Sequence, residues 1–256
     1  MTTSQKNAMR DFYAAEARDR DSAEWLEAGG GARVPENAAS HYFLDRKVEV
    51  ALALANLPAT ARVLEVGSSF GHQTFLFTPR FAHVTAVDLS PESIALARRR
   101  AERWKVANVR FEVADAERLD DFADESFDAV FSFSTLRFCP HPERALAEFV
   151  RVARRGAPVV VDFPNAKCPW YGPLKKSLSI APHIHDRLFL AREAEALLAG
   201  AGLGRVTSRH LLFTSKRVPG ALLPLFRLLD AAGERLPGVC EYAGIVMARG
   251  VKGGAR

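Results

Sequence analysis

The stretch Val63-Leu64-Glu65-Val66-Gly67-Ser68-Ser69-Phe70-Gly71-His72-Gln73-Thr74 decides the fold. An apolar run ends in an acid and then a bend, in which two glycines frame two serines. A buried strand gains nothing from Glu65, and a plain loop has no need of that framing. Gly67 and Gly71 let main chain approach a ligand without Cβ interference, and Ser68 and Ser69 keep the turn narrow. A dinucleotide fingerprint, G-x-G-x-x-G, fails here, because its second and third glycines fall on Ser69 and His72.

Outward from this bend the chain alternates. Strands are expected at 62–66, 83–88, 109–114, 128–133 and 158–162, with helices near 71–77, 91–104 and 142–154 between them. Ser90 followed by Pro91 is a helix start, with serine as N-cap and proline at the first helical position. Such alternation implies a Rossmann-like, doubly wound α/β fold: a mostly parallel sheet with helices on both faces. Ligands of such sheets sit where the C-terminal strand ends meet the following loops. Upstream, a charged helix fills the first 30 residues, carrying Phe12, Tyr13, Trp25 and Leu26 and stopped by Gly29-Gly30-Gly31. A second runs from about 41 to 56. We expect residues 1–60 to form a helical cap and 61–256 the main domain, with lid-like insertions at 163–187 and 214–238. Further elements are expected at 191–201 (helix), 205–213 (strand), 221–230 (helix) and 242–248 (strand).

The order of motifs resembles class I S-adenosylmethionine-dependent methyltransferases over about 63–162. The register E-x-G-x-G-x-G matches at Glu65, Gly67 and Gly71, with Ser69 replacing the middle glycine. V-T-A-V-D-L-S ends the second strand in Asp88, where that family places an acid on the ribose hydroxyls. F-E-V-A-D-A ends the third in Asp115, where it reads the adenine. S-F-D-A-V-F-S resembles the fourth strand, whose exit lines the methionine end of the cofactor. The resemblance implies S-adenosyl-L-methionine as cofactor, held by Glu65, Gly67, Ser69, Gly71, Asp88, Leu89, Asp115, Ala116 and Ser132. It also implies seven strands, the last antiparallel.

Methyl transfer asks a protein to hold a nucleophile in line and exclude water, with a base where the nucleophile is a hydroxyl. Candidate groups are His141, His185 and Arg137, the last as a clamp for an anionic or carbonyl group. No metal is expected: Asp162 and Asn165 follow the fifth strand, but the acid that metal-dependent relatives place after the fourth is missing. Cys139, in Phe-Cys-Pro, reads as a small buried residue. A small organic acceptor, methylated on oxygen, fits the aromatic residues Trp170 and Tyr171 of the long connection. Three alternatives stay open: an NAD-type oxidoreductase, a nucleic-acid methyltransferase, and a cofactor-binding protein without transfer activity.

The totals narrow the partners. The chain has 256 residues, 48% of them apolar, which supplies a sizeable core. Its net charge of +5 comes from arginines scattered along helices, so nucleic acid is not the expected partner. Three dispersed cysteines form no C-x-x-C pair, which suits a reducing compartment. No apolar run approaches about 18 residues, so a cytoplasmic protein without a membrane partner is expected. A homodimer through the leucines near 222–226 is compatible with the pattern.

Overall fold

The computed structural model describes residues 3–19, 37–169 and 187–253. Trp25, Trp170, Tyr171 and His185, and most of the proposed 163–187 insertion, lie outside the described residues.

Seven strands form one sheet: β1 (Arg62–Val66), β2 (His83–Asp88), β3 (Val109–Val113), β4 (Ala129–Ser132), β5 (Pro158–Pro164), β6 (Leu203–Leu211) and β7 (Ile245–Lys252). Their spatial order is β3-β2-β1-β4-β5-β7-β6. The first five run parallel, and β7 inserts antiparallel to both β5 and β6. The strand order reverses between β1 and β4, so a crevice opens at their C-terminal ends.

The helices are α1 (Thr3–Asp19), α2 (Ala38–Ala55), the short α3 (Thr74–Phe77), α4 (Pro91–Arg103), α5 (Pro142–Val152), α6 (Ala191–Gly200) and α7 (Leu223–Gly233). Alternate residues of the central strands feed two cores, because side chains leave a strand on alternate faces. Leu64, Val66, Val130, Val159 and Val161 pack with Phe149 of α5 and Leu198 of α6. Val63, Ala129, Phe131 and Val160 pack on the other face with Phe43, Val48 and Ala51 of α2. α1 reaches the body through Ala17, which packs with Phe70 and Leu96.

Local chemistry sets several boundaries. Ser90 Oγ accepts from Ser93 N (3.2 Å), with Pro91 at the helix start, as the sequence indicates. α2 begins at Ala38, earlier than expected, because Asn37 caps it by accepting from Ser40 N (2.8 Å). β7 starts and ends later than the expected 242–248, since 240–242 form a 3-10 turn and β5 and β6 pair with the strand out to Val251 and Lys252. α3 covers only the last four residues of the expected 71–77 helix, the rest being turn.

Candidate active site

At the crevice β1 ends and the quoted bend begins. Gly67 N and Ser68 N donate to Val87 O at 2.8 and 3.0 Å, which ties the bend to β2. Gly67 has φ +82°, and a Cβ there would lie 1.9 Å from Thr135 Oγ1, so glycine is required by conformation and by space. Ser69 also has a positive φ, +49°. A serine at that position carries a backbone cost of order 1 kcal/mol that the middle glycine of the motif would not.

Asp88 closes the turn. Its Oδ2 accepts from Ser69 N (2.8 Å) and its Oδ1 from Ser90 N (2.9 Å). Burial pushes this carboxyl above the ordinary range, while the Ser90, Ser69 and Leu89 amides oppose the rise. Each oxygen keeps lone pairs to offer, and the side chain lines a cavity of about 800 Å3. Gly67, Ser69, Leu89, Asp115 and Ala116 line the same cavity.

Glu65, Gly71 and Ser132 sit beneath its wall. Glu65 is 1% exposed and accepts from Thr74 Oγ1 at 2.6 Å, while its Oε1 has no partner. Burial, chiefly, and the charge of Asp88 push its pKa up to about 7, against the Thr74 hydrogen bond and the Lys47 charge. Gly71, at φ +89°, leaves room for the Phe75 ring. Ser132 Oγ donates to Val66 O (2.9 Å), fastening β4 to β1 where the bend starts.

Asp115 is engaged from above. Lys6 of α1 donates to Asp115 Oδ2 (2.7 Å) and to Glu117 Oε2 (2.8 Å), laying the N-terminal helix across the cavity. Tyr13, from the same helix, meets the Phe138 ring edge-on at 6.2 Å. Sequence reasoning gave α1 no such anchor.

The proposed catalytic residues separate. Arg137 lines the cavity, its guanidinium 4.5 Å from the Phe138 ring centroid. His141 starts α5 and is not part of the cavity lining; its N–H donates to Glu117 Oε1 (2.9 Å) and its Nδ1 is 3.2 Å from Glu143. Cys139 lines the cavity, but burial and the charges of Glu117 and Asp115 push its thiol up to about 12, so it stays a neutral thiol. Asn165 Nδ2 donates to Glu241 O and Ala243 O, both at 2.7 Å, a structural use.

The sequence reading missed a charged pair in the cavity wall. Lys47 Nζ lies 2.6 Å from Asp162 Oδ2, with side chains 1% and 0% exposed. The same ammonium donates to Ser134 Oγ (3.0 Å) and sits 5.4 and 5.7 Å from the Phe133 and Phe43 ring centroids. Ser134 N donates to the other Asp162 oxygen. The available signal was a lysine between Phe43, Leu44 and Val48 on the apolar stripe of a helix, where a solvated lysine has no place.

Comparison with known proteins agrees with this geometry. A family model described as a methyltransferase domain matches residues 64–161, from β1 to β5. The chain is 41% identical over 101 residues to a phosphatidylethanolamine N-methyltransferase of Cereibacter sphaeroides, covering 39% of this chain and 49% of that one. It is 32% identical over 115 residues to an S-adenosyl-L-methionine-dependent Diels-Alderase of Talaromyces variabilis, covering 44% and 39%. The chain thus spans less than half the length of either relative. Its fold matches the crystal structure of magnesium protoporphyrin IX methyltransferase from Synechocystis PCC 6803 with bound SAH, at TM-score 0.63 and 16% identity over 96% of this chain and 99% of that one. The methyltransferase-domain match over 64–161 speaks against the oxidoreductase alternative. From β1 to β5 the chain matches a methyltransferase-domain model, and its fold is the one that S-adenosylmethionine-dependent methyltransferases adopt.

Proposed function

We propose that this protein transfers a methyl group from S-adenosylmethionine to an oxygen of a small organic acceptor. The observation that carries this reading is one continuous cavity with two chemically different ends. At one end stand the bend, Asp88 and Asp115. At the other, Lys47 and Ser134 lie beside Phe43 and Phe133. About 800 Å3 accommodates an adenosyl group and a small acceptor together.

The residues present fit the cofactor. Bound S-adenosylmethionine supplies an electrophilic methyl on a sulfonium. Asp88 has lone pairs for two ribose hydroxyls, and Asp115 can accept from an adenine amino group by sharing Oδ2 with Lys6 or displacing it. The Gly67–Gly71 bend carries main chain towards the amino-acid part, and the buried Glu65 lends negative charge beneath it.

Lys47 is assigned the acceptor. Held by Asp162 and Ser134, its ammonium can hydrogen-bond an acceptor oxygen and lower the pKa of its hydroxyl, whose proton passes to bulk water before the oxygen takes the methyl. A hydrogen-bond donor at this point suits an acceptor oxygen that gains negative charge, although one relative is named an N-methyltransferase. Arg137 is assigned to an anionic group on the acceptor.

Calorimetric titration with S-adenosylhomocysteine and with NADH, followed by incubation of methyl-labelled cofactor with phenolic and amine acceptors, tests the reading. We expect S-adenosylhomocysteine to bind, NADH not to, and label to appear in an aryl ether. Label found only on amines would overturn the oxygen assignment, and NADH binding alone would overturn the cofactor.

A further inference from the structure

The outer surface of residues 215–239 has a composition that the cavity does not explain. An amphipathic helix on a globular protein turns its leucines inward. α7 does the reverse: Leu225, Leu228 and Leu229 face outward, Leu228 being 69% exposed, and Leu222 beside them is also exposed. The inward positions are Leu223, Asp230 and Gly233.

The acids of this segment are directed inward as well. Asp230, 1% exposed, accepts from Phe213 N (2.6 Å), Thr214 N (3.1 Å) and Thr214 Oγ1 (2.5 Å). Glu234 accepts from Leu212 N (3.0 Å) and from Arg46. Both carboxylates hold the chain just after β6, so neither balances the outer face. The exposed charged residues of the segment are all basic: Lys216, whose ammonium lies 5.6 Å from the Phe43 ring centroid, Arg217, Arg227, whose guanidinium lies 5.1 Å from the Tyr42 ring centroid, and Arg235.

A leucine face with exposed arginines and no exposed acid within 215–239 matches an anionic lipid surface, where the apolar groups enter the headgroup boundary and each nearby cation adds attraction. A second copy of this chain would bring like charges together around the leucines. The expectation of no membrane partner rested on the lack of a spanning run. Among the described residues no helix is long and apolar enough to cross a membrane. A helix lying flat needs no such length.

The geometry points to a peripheral docking surface: the outer face of α7, with its arginines, rests on an anionic bilayer. Ser215, Lys216 and Arg217 line the cavity and directly precede this face, so docking turns the cavity mouth towards the lipid headgroups. The inference does not depend on which atom is methylated.

Co-sedimentation of the full chain with vesicles tests it, using phosphatidylcholine alone and phosphatidylcholine mixed with phosphatidylglycerol. Wild type should partition onto the anionic vesicles at least about tenfold better than onto the neutral ones, and salt should weaken the binding. The variant L225Q/L228Q/L229Q and, separately, R227Q/R235Q should each lose on the order of tenfold in partitioning. All five side chains are exposed, so both variants should fold and retain S-adenosylhomocysteine binding. Failure of wild type to sediment with anionic vesicles would overturn the inference, as would a leucine variant that binds like wild type. So would a stable wild-type dimer in gel filtration that the leucine variant dissociates. None of these readouts uses methyl transfer, so loss of the proposed activity and loss of docking are separable.

Discussion

Glu65→Gln should stabilise the unliganded protein in a way that depends on pH. Glu65 is fully buried, with one oxygen accepting from Thr74 and the other without a partner. Burial lifts its pKa from an ordinary 4.5 to about 7. The folded protein therefore binds a proton at this site across a range where the unfolded chain has released it. Stability from this group is fully present below about pH 4.5 and is lost as pH rises towards 7, because the unfolded state binds fewer protons there. A displacement of that size corresponds to about 3 kcal/mol once the group is ionised. Glutamine keeps the acceptor for Thr74 Oγ1 and resembles the protonated acid, so it removes the slope without emptying the site. Urea denaturation of wild type and variant, from about pH 5 to pH 8, should give curves that converge at the acid end. They should diverge by about 2–3 kcal/mol at the alkaline end, with the variant more stable. Titrating groups other than Asp88 and Lys47, whose charges act on Glu65, cancel in the difference. Parallel profiles, or a variant less stable at pH 8, would refute the reasoning.

Three further outcomes follow from named contacts. Lys47→Met leaves the Asp162 carboxylate buried and unpaired, so it should cost about 3–5 kcal/mol, and adding Asp162→Asn should recover much of that in a denaturation cycle. Asp88→Ala should weaken binding of S-adenosylmethionine by about 1.5–3 kcal/mol in calorimetry, provided circular dichroism shows a folded protein. Ser69→Gly should raise stability by a few tenths to about 1 kcal/mol, since it relieves a positive φ, and a destabilised variant would count against the strain at this position.

The parallel part of the sheet was legible because its signals are local. Each strand is a short apolar run closed by a small or acidic residue, and Ser90-Pro91 announces a helix through chemistry that needs no partner. The boundaries that shifted are those set from a distance. The ends of β7 follow from pairing with β5 and β6, which lie far away in sequence, and the start of α2 follows from a cap at Asn37 outside the apolar pattern. The site divides in the same way. Asp88 ends β2 and Asp115 lies two residues beyond β3, so their placement follows once the strands are assigned. Lys47 and Asp162 belong to elements 115 residues apart that meet only through the packing of α2 on the sheet. A lysine on an apolar helix stripe was visible, but its partner was not.

Charge explains why that pair is needed. On the proposed reading, the cofactor end is framed by Asp88, Asp115 and Glu117 with Glu65 beneath, and burial opposes ionisation of Glu65 and Asp88. A cationic ligand there offsets the cost of holding buried carboxylates ionised, whereas a neutral thioether offsets less of it. On that reading the wall would favour the sulfonium form over the demethylated product and ease product release. On the proposed reading, the acceptor end must also present a hydrogen-bond donor strong enough to favour an oxyanion. A bare ammonium would do so at the expense of repelling the sulfonium a few ångströms away. Setting Lys47 against Asp162 resolves the conflict: the pair is close to neutral when seen from the cofactor, yet the ammonium still has a proton to offer an oxygen lodged against it. Removing both charges with Lys47→Met and Asp162→Asn should accordingly spare cofactor affinity while lowering transfer to hydroxyl acceptors, a separation that a purely structural ion pair would not produce.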